Sequence, residues 1–358
     1  MRFGRVVISA ACTKVFRAHF EIGSHMAVKS RNAIFGMISV ATGLIMAAGA
    51  LELYVRLMET DGTNFDIEMW RYAKDLKEVS NVPGAGHEHI PGKSGIYMGV
   101  PVSINSAGWR DREHSLEKDG GTIRVMMLGD SLTFGWGARP EDVTSYRLER
   151  LLNAKGNRFE VINTGIGNAN TAMESTYFMK KAYVYKPDIV VLNYFINDAE
   201  PTPRRTKNVL LEHFYSVAFI VGRFDVLMRT FFGKADWRQY YRGLYQENQP
   251  GWLVAQNALK ELASYCKARN IKLIVVNYPE LHELSPYPFQ DVTSLVASKV
   301  TALGIPFLDL LPSVDNQAPK SLWVTKTDSH PNGEAAGLYA DAIMKFLLTQ
   351  VTKTSDRL

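Results

Sequence analysis

Cysteine is nearly absent from this sequence: Cys12 and Cys266 are the only two in 358 residues. A disulfide-stapled fold is therefore excluded, and no Cys/His run has the spacing of a zinc module. Internal repeats and low-complexity tracts are missing too, which argues against solenoids and arrays. The bulk of the chain also lacks net charge. The formal charge of +5 is concentrated in residues 1–31, where Arg2, Arg5, Lys14, Arg17, Lys29 and Arg31 face one acid, Glu21. The other 327 residues carry 35 basic and 35 acidic side chains. A neutral body gives nucleic acid no electrostatic footprint, so none is expected as a partner.

Long apolar runs are scarce as well. The one present is Ala33–Leu51, 19 uncharged and mostly apolar residues, just long enough to span a bilayer as a helix. Lys29 and Arg31 precede it, and Glu52, Arg56 and Glu59 follow it. The positive-inside rule then predicts a basic cytoplasmic tail over 1–32 and a single-pass signal-anchor over 33–55. The body would lie outside the inner membrane, in the periplasm. Two other readings stay open: cleavage after the small residues Ala48-Gly49-Ala50, and a buried core helix. Met26 would also serve as a start, with a compact basic region after it.

What remains is apolar enough to bury one large core or two modest ones. Residues 56–121 read as a polar linker, with Ile96–Asn105 as a strand pair turned at Ser106–Arg110. His87 and His89 read as loop histidines. From Thr122, strands and helices alternate, which argues for βαβ units and a parallel sheet. Strands are expected at Ile123–Leu128, Phe159–Asn163, Ile189–Leu192, Leu273–Val276 and Pro306–Leu308. Helices are expected near 141–154, 170–185, 252–268 and 291–302. The last helix shows a stripe of Ala336, Tyr339, Ala340, Ile343, Phe346 and Leu347. Five strands covered by helices make a three-layer α/β/α sandwich over 122–350. Residues 199–250, rich in aromatics, are too long for a simple crossover. They predict a helical cap packed on itself, a lid or acyl-pocket wall, or a contact with the membrane.

The chain is organised around Arg124-Val-Met-Met-Leu-Gly-Asp-Ser-Leu-Thr-Phe-Gly-Trp-Gly137. Val125–Leu128 form a buried strand, Gly129 ends it, and Ser131 is the first hydroxyl beyond. The C-terminal edge of a parallel sheet is where chemistry is placed. Ser131 is thus a candidate nucleophile, with a helix N-cap as its plainer role. Far downstream lies Thr327-Asp-Ser-His-Pro-Asn-Gly333. Asp328 and His330 are two apart, so in extended chain both side chains face one way, and Asp328 can hold the Nδ1 proton of His330. Nε2 is then free for Ser131, the arrangement a serine nucleophile needs.

The Gly-Asp-Ser-Leu and Asp-x-His-Pro blocks, taken in order, resemble the SGNH (GDSL-type) hydrolase family over roughly residues 90–350. The Ile104-Asn-Ser-Ala-Gly-Trp-Arg110 stretch is similar to one that precedes the nucleophile domain in that family. The resemblance implies a flavodoxin-like strand order of 2-1-3-4-5 and a serine hydrolase that uses no metal or cofactor. It implies Ser131, His330 and Asp328 as the triad. Oxyanion donors would come from the Ser131 N–H, from the Asn197 amide and from the loop Asn163–Asn170, where Gly167 and Asn168 are both candidates. Alanine at either position is expected to have a mild effect. Asp130 and Asp198 are assigned to loop hydrogen bonding, His282 to the pocket edge, and Arg204 and Arg205 to a solvated pair. The family's membrane-anchored bacterial members imply an ester substrate, a small O-acyl group such as acetyl on an envelope or exported glycan. An O-acyltransferase and a non-catalytic envelope binding module are the alternatives.

Overall fold

The apolar runs expected as strands lie side by side in one sheet in the computed structural model, which describes residues 10–60, 62–154, 156–201, 209–232 and 236–355. The chain divides into two units, Met1–Leu57 and Met58–Leu358. The first consists, in its described part, of helix α1 (Ala10–Met58). Its stretch Arg31–Met58 has a mean hydropathy of 2.0 and is long and apolar enough to cross a membrane.

The second unit opens with α2 (Phe65–Leu76) and two small antiparallel pairs, β1 (Lys77–Val79) with β2 (His87–His89) and β3 (Ser94–Tyr97) with β4 (Val100–Ser103). The sequence reading leaves 56–90 as linker. Yet Asn64 caps Ile67 N–H with Asp66 and Glu68 in the first turn, and Ile67, Tyr72 and Leu76 are buried. Those are helix-start signals. The second hairpin also turns elsewhere than expected. Its bend is at Met98-Gly99, where both residues have positive φ (50° and 71°), the geometry of a tight two-residue turn. Ser106–Trp109 is a separate turn, held by Asn105 Oδ1 accepting from Ala107 and Trp109 N–H.

Then come β5 (Ile123–Leu128), the one-turn helix α3 (Ser131–Phe134), α4 (Thr144–Asn153), β6 (Phe159–Asn163), α5 (Thr171–Lys180) and β7 (Ile189–Tyr194). The insertion carries α6 (Val209–His213), α7 (Tyr215–Phe232) and α8 (Trp237–Leu244). After it follow α9 (Pro250–Lys267), β8 (Lys272–Asn277), α10 (Gln290–Ala302), β9 (Phe307–Asp309), the hairpin β10 (Trp323–Thr325) with β11 (Asp328–Pro331), and α11 (Gly333–Ser355). The main sheet is parallel throughout, in the order β6-β5-β7-β8-β9. In order of appearance along the sheet's own strands, that is 2-1-3-4-5.

Period-two alternation builds the three layers. Met126, Leu128, Val190, Leu192 and Val275 face α5, α9 and α10, where Phe178, Leu259, Leu262 and Val296 are buried. Val125, Met127, Val191 and Val276 face the other way, onto Leu148 and Leu152 of α4 and Tyr339, Ile343 and Leu347 of α11. Each such aliphatic side chain contributes roughly 1.5–3 kcal/mol through burial. This core fixes the C-terminal ends of β5, β6, β7 and β8 at one edge.

The insertion packs on its neighbours. Trp70 of α2 donates its indole N–H to Leu211 O at 2.7 Å and stacks edge-on to Tyr215, while Trp237 and Tyr241 of α8 pack on Phe289. Arg204 and Arg205 lie outside the described residues.

Candidate active site

Strand β5 ends at Leu128, and the chain turns through Gly129 into α3. Asp130 caps that helix, its Oδ1 accepting from Leu132 N–H at 2.8 Å. The N-cap role open to serine is therefore filled by its neighbour. Ser131 takes the first helical position, with its side chain free to act. Arg110 fixes the far side of the turn by donating to the carbonyls of Phe134, Gly135 and Ala138. Its burial pushes the guanidinium down to about 10.

The β10–β11 hairpin brings the second block to the same place. Ser131 Oγ lies 2.9 Å from His330 Nε2, and His330 Nδ1 lies 2.6 Å from Asp328 Oδ1. An ionised carboxylate only accepts, so Nδ1 carries the proton and Nε2 presents its lone pair to the serine hydroxyl. Asp328 Oδ1 also accepts from His330 N–H at 3.0 Å, and Oδ2 from Trp136 Nε1–H at 3.0 Å. Burial alone would raise the Asp328 carboxyl; the charge and hydrogen bonds of His330, with the indole N–H, hold it below its ordinary value. Phe65 of α2 stacks on the imidazole at 5.9 Å.

A cleft of ≈ 210 Å³ opens at these residues. Ser131, His330, Asn168 and Asn197 line it, with Phe65, Leu132, Phe195 and Tyr241 as apolar walls and Glu280 as a polar one. Asn197 Nδ2 donates to Asp130 Oδ2 at 3.3 Å, which orients the amide nitrogen and leaves its second hydrogen available. Among the described residues, neither the Ser131 N–H nor the Asn168 N–H has a partner. Asn168 sits at φ 64°, a left-handed conformation that Asn tolerates.

The Gly167 N–H is already engaged: it donates to the Tyr72 hydroxyl at 2.9 Å. Tyr72 in turn donates to His89 Nε2 at 2.7 Å, because His89 Nδ1 donates to Gly108 O at 3.1 Å. Burial pushes His89 down to about 3, so it stays neutral and keeps that tautomer. The Gly167 carbonyl is held as well, by Lys77 Nζ at 2.9 Å and His87 Nε2 at 3.0 Å. Both histidines read as loop residues are thus on β2, buried, and clamp the loop that carries Asn168. A Cβ at Gly167 would sit 2.8 Å from the Tyr72 ring, so only glycine admits this clamp.

Three buried acids lie behind the nucleophile turn. Burial pushes Asp130 up, and it pushes Asp198 and Glu174 well above the carboxylate range, with Asp130 adding to both through its charge. Asp198 Oδ2 accepts from Phe195 N–H at 2.9 Å. Neither Glu174 oxygen has a partner among the described residues.

His282 does not line the cleft. Its Nδ1 bonds to Glu280 Oε1, and its ring lies between Trp237 (5.4 Å) and Trp323 (4.9 Å). Glu280 therefore occupies the wall position expected for His282. Its hydrogen bond from His282 is the main reason the imidazole is raised. Among the described residues no group of three or more His, Cys, Asp or Glu is placed to hold a metal ion.

Residues 127–338 match the model of the GDSL-like Lipase/Acylhydrolase family. No curated protein matches the sequence. Among solved structures, the chain is similar to a lipase/acylhydrolase from Enterococcus faecalis (14% identity, TM-score 0.39, covering 64% of this chain and 96% of that one). It is also similar to a catalytic mutant of an acetylxylan esterase from Geobacillus stearothermophilus (16%, TM-score 0.42, 64% and 95%). A third is a two-domain esterase active on acetylated mannans (15%, TM-score 0.41, 64% and 49%).

Proposed function

We propose, because this chain belongs to the GDSL-like Lipase/Acylhydrolase family and is a carboxylic ester hydrolase, that Ser131 is its nucleophile, His330 its general base and acid, and Asp328 the group that orients His330. The observation that carries this is the unbroken chain from Ser131 Oγ to His330 Nε2 (2.9 Å) and from His330 Nδ1 to Asp328 Oδ1 (2.6 Å). Attack transfers the Ser131 proton to Nε2 as the new C–O bond forms. The same proton then goes to the leaving alkoxide as the ester C–O bond breaks. Water, activated by His330, releases the acyl group and restores the serine. The oxyanion is met by the Ser131 N–H, the Asn197 amide and the Asn168 N–H. The Gly167 N–H is committed to Tyr72, so Gly167 positions this hole and does not donate to it.

The substrate is a small O-acyl ester, acetyl in the first instance, on an envelope or exported glycan. A cleft of ≈ 210 Å³ with apolar walls suits a short acyl group, below the roughly 300–1,000 Å³ of drug-sized sites. The His330 side chain is 17% exposed, so water reaches the base, which favours hydrolysis over transfer to a sugar hydroxyl. Helix α1 is an uncleaved anchor in the inner membrane, with residues 1–32 in the cytoplasm and the catalytic body, 122–350, in the periplasm. The charge excess confined to residues 1–31 supports that orientation.

A fluorophosphonate probe should label Ser131 in the full chain, and labelling should vanish in Ser131→Ala. Turnover across a panel of acetylated sugars and aryl esters then identifies the ester. Labelling of a different serine, or full turnover by folded Ser131→Ala, would end this reading.

A further inference from the structure

Helix α7 turns a row of apolar side chains outward. Its inward side packs on α2: Tyr215 meets Trp70, Ser216 and Ala218 are buried, and a Cβ at Gly222 would lie 3.2 Å from Asp66. Its outward side carries Phe214 just before it, then Ile220, Val221, Phe224 and Leu227, all 44–59% exposed. These recur at helical spacing, so they form one stripe. All five remain about half exposed. A contiguous apolar face of this kind marks an interaction site.

We infer that this face lies in the interfacial region of the bilayer in which α1 is anchored. Two observations select lipid as the occupant. Six residues, Glu59–Asn64, join the last residue of α1 to the first of α2, at most roughly 25 Å of chain. Helix α2 packs directly on α7 through Trp70 with Tyr215, so the stripe is built on elements that follow the anchor closely in sequence or pack on one that does. Charge is the second observation. Residues 202–235 hold six Lys/Arg (Arg204, Arg205, Lys207, Arg223, Arg229, Lys234) against Glu212 and Asp225. Within α7 the balance is Arg223 and Arg229 against Asp225, and the other cations flank the helix in sequence. A basic segment around an apolar-faced helix is the composition that binds anionic lipid headgroups and buries its apolar side roughly 5–10 Å below them.

Phe65 and Met69, also on α2, line the cleft. Docking of α7 therefore brings the cleft close to the headgroups. The ester it meets is one presented at the bilayer surface. The docking takes from the proposed function only the anchoring of α1.

The test uses the full chain in vesicles of phosphatidylethanolamine and phosphatidylglycerol, with Cys12→Ser as background. An environment-sensitive fluorophore is placed at Ile220→Cys, at Phe224→Cys, or at Lys299→Cys on the exposed side of α10 as control. Each variant must melt as the parent does. Nitroxide-bearing lipids should quench positions 220 and 224 at least about threefold more than 299, as interfacial burial requires. A chain that floats with the vesicles while both probes are quenched only by aqueous iodide overturns the docking alone. Probes shielded from iodide and from the lipid quencher alike overturn it too, in favour of a protein partner or a second copy. A chain that fails to float overturns the anchoring and the docking with it.

Discussion

Exchanging Asp328 for asparagine changes one atom of a carboxylate that three donors share. Oδ1 accepts from His330 Nδ1 and from His330 N–H, and Oδ2 accepts from Trp136 Nε1–H. The residue is 4% exposed, so no water substitutes for a lost partner. An amide offers a single oxygen. With that oxygen kept towards His330, its NH₂ meets the indole N–H donor to donor, and an unpaired buried donor costs about 1–3 kcal/mol. With the amide reversed, its NH₂ faces Nδ1, and the imidazole must move its proton to Nε2. Nε2 then donates to Ser131 Oγ and can no longer accept its proton. Either way the charge that stabilises the imidazolium is gone. In serine triads the same exchange costs ~10⁴-fold in kcat, about 5.4 kcal/mol. We expect folded Asp328→Asn to lose roughly 10³–10⁴ in kcat/KM on an aryl acetate at neutral pH, with fluorophosphonate labelling slowed in parallel. A variant keeping more than about a tenth of parental turnover would refute the orienting role.

The sign of the accompanying stability effect also follows. A carboxyl held below its unfolded value, about 3.9, stabilises the fold above that pH, and the contribution is lost as pH falls through the depressed folded value. Asp328→Asn should therefore flatten the acid limb of a melting-temperature profile below about pH 4.

Three further outcomes are expected. Asn197→Ala should lower kcat by roughly 10²–10³ with little change in KM, because the amide serves the transition state; an unchanged kcat would remove it from the oxyanion hole. Gly167→Ala, mild on the sequence reading, should instead destabilise by about 1–3 kcal/mol, since its Cβ would displace the buried Tyr72 ring; thermal melting against Asn168→Gly as a near-neutral control decides it. Glu174→Gln should raise the melting temperature at pH 8, at about 2–4 °C per kcal/mol for a body of this size. A buried carboxyl raised above its unfolded value favours folding fully only below that value and loses this as pH rises. The gain should therefore vanish below about pH 4, and a gain that persisted there would point to packing.

The sequence by itself determined whatever rests on local periodicity. Val125–Leu128 and Ile189–Leu192 are short apolar runs between turn signals, and they form parallel strands because both their faces are buried. The stripe of the last helix reads as Ala336, Tyr339, Ala340, Ile343, Phe346 and Leu347, and all are buried except Phe346, which is half-buried. Asp328 and His330 share one face of β11 because strand side chains alternate, so their contact is nearly local. Tertiary structure alone decided what depends on residues remote in sequence. Ser131 and His330 meet across 199 residues only because β5 and the β10–β11 hairpin end at the same edge. The clamp on Gly167 joins Tyr72, His87 and His89 to a loop 80–95 residues away, and no spacing in 56–90 announces it. Helix α2 did leave a trace, an Asn cap before two acids, but its apolar residues are interleaved with Trp70 and Tyr72, whose partners come from other elements. The Gly167 N–H is engaged in the same way, by a tyrosine hydroxyl that packing placed 2.9 Å from it. Hydrogen bonds of that kind are made by the fold, since the two groups that share the proton lie far apart along the chain and only the packed core brings them within reach.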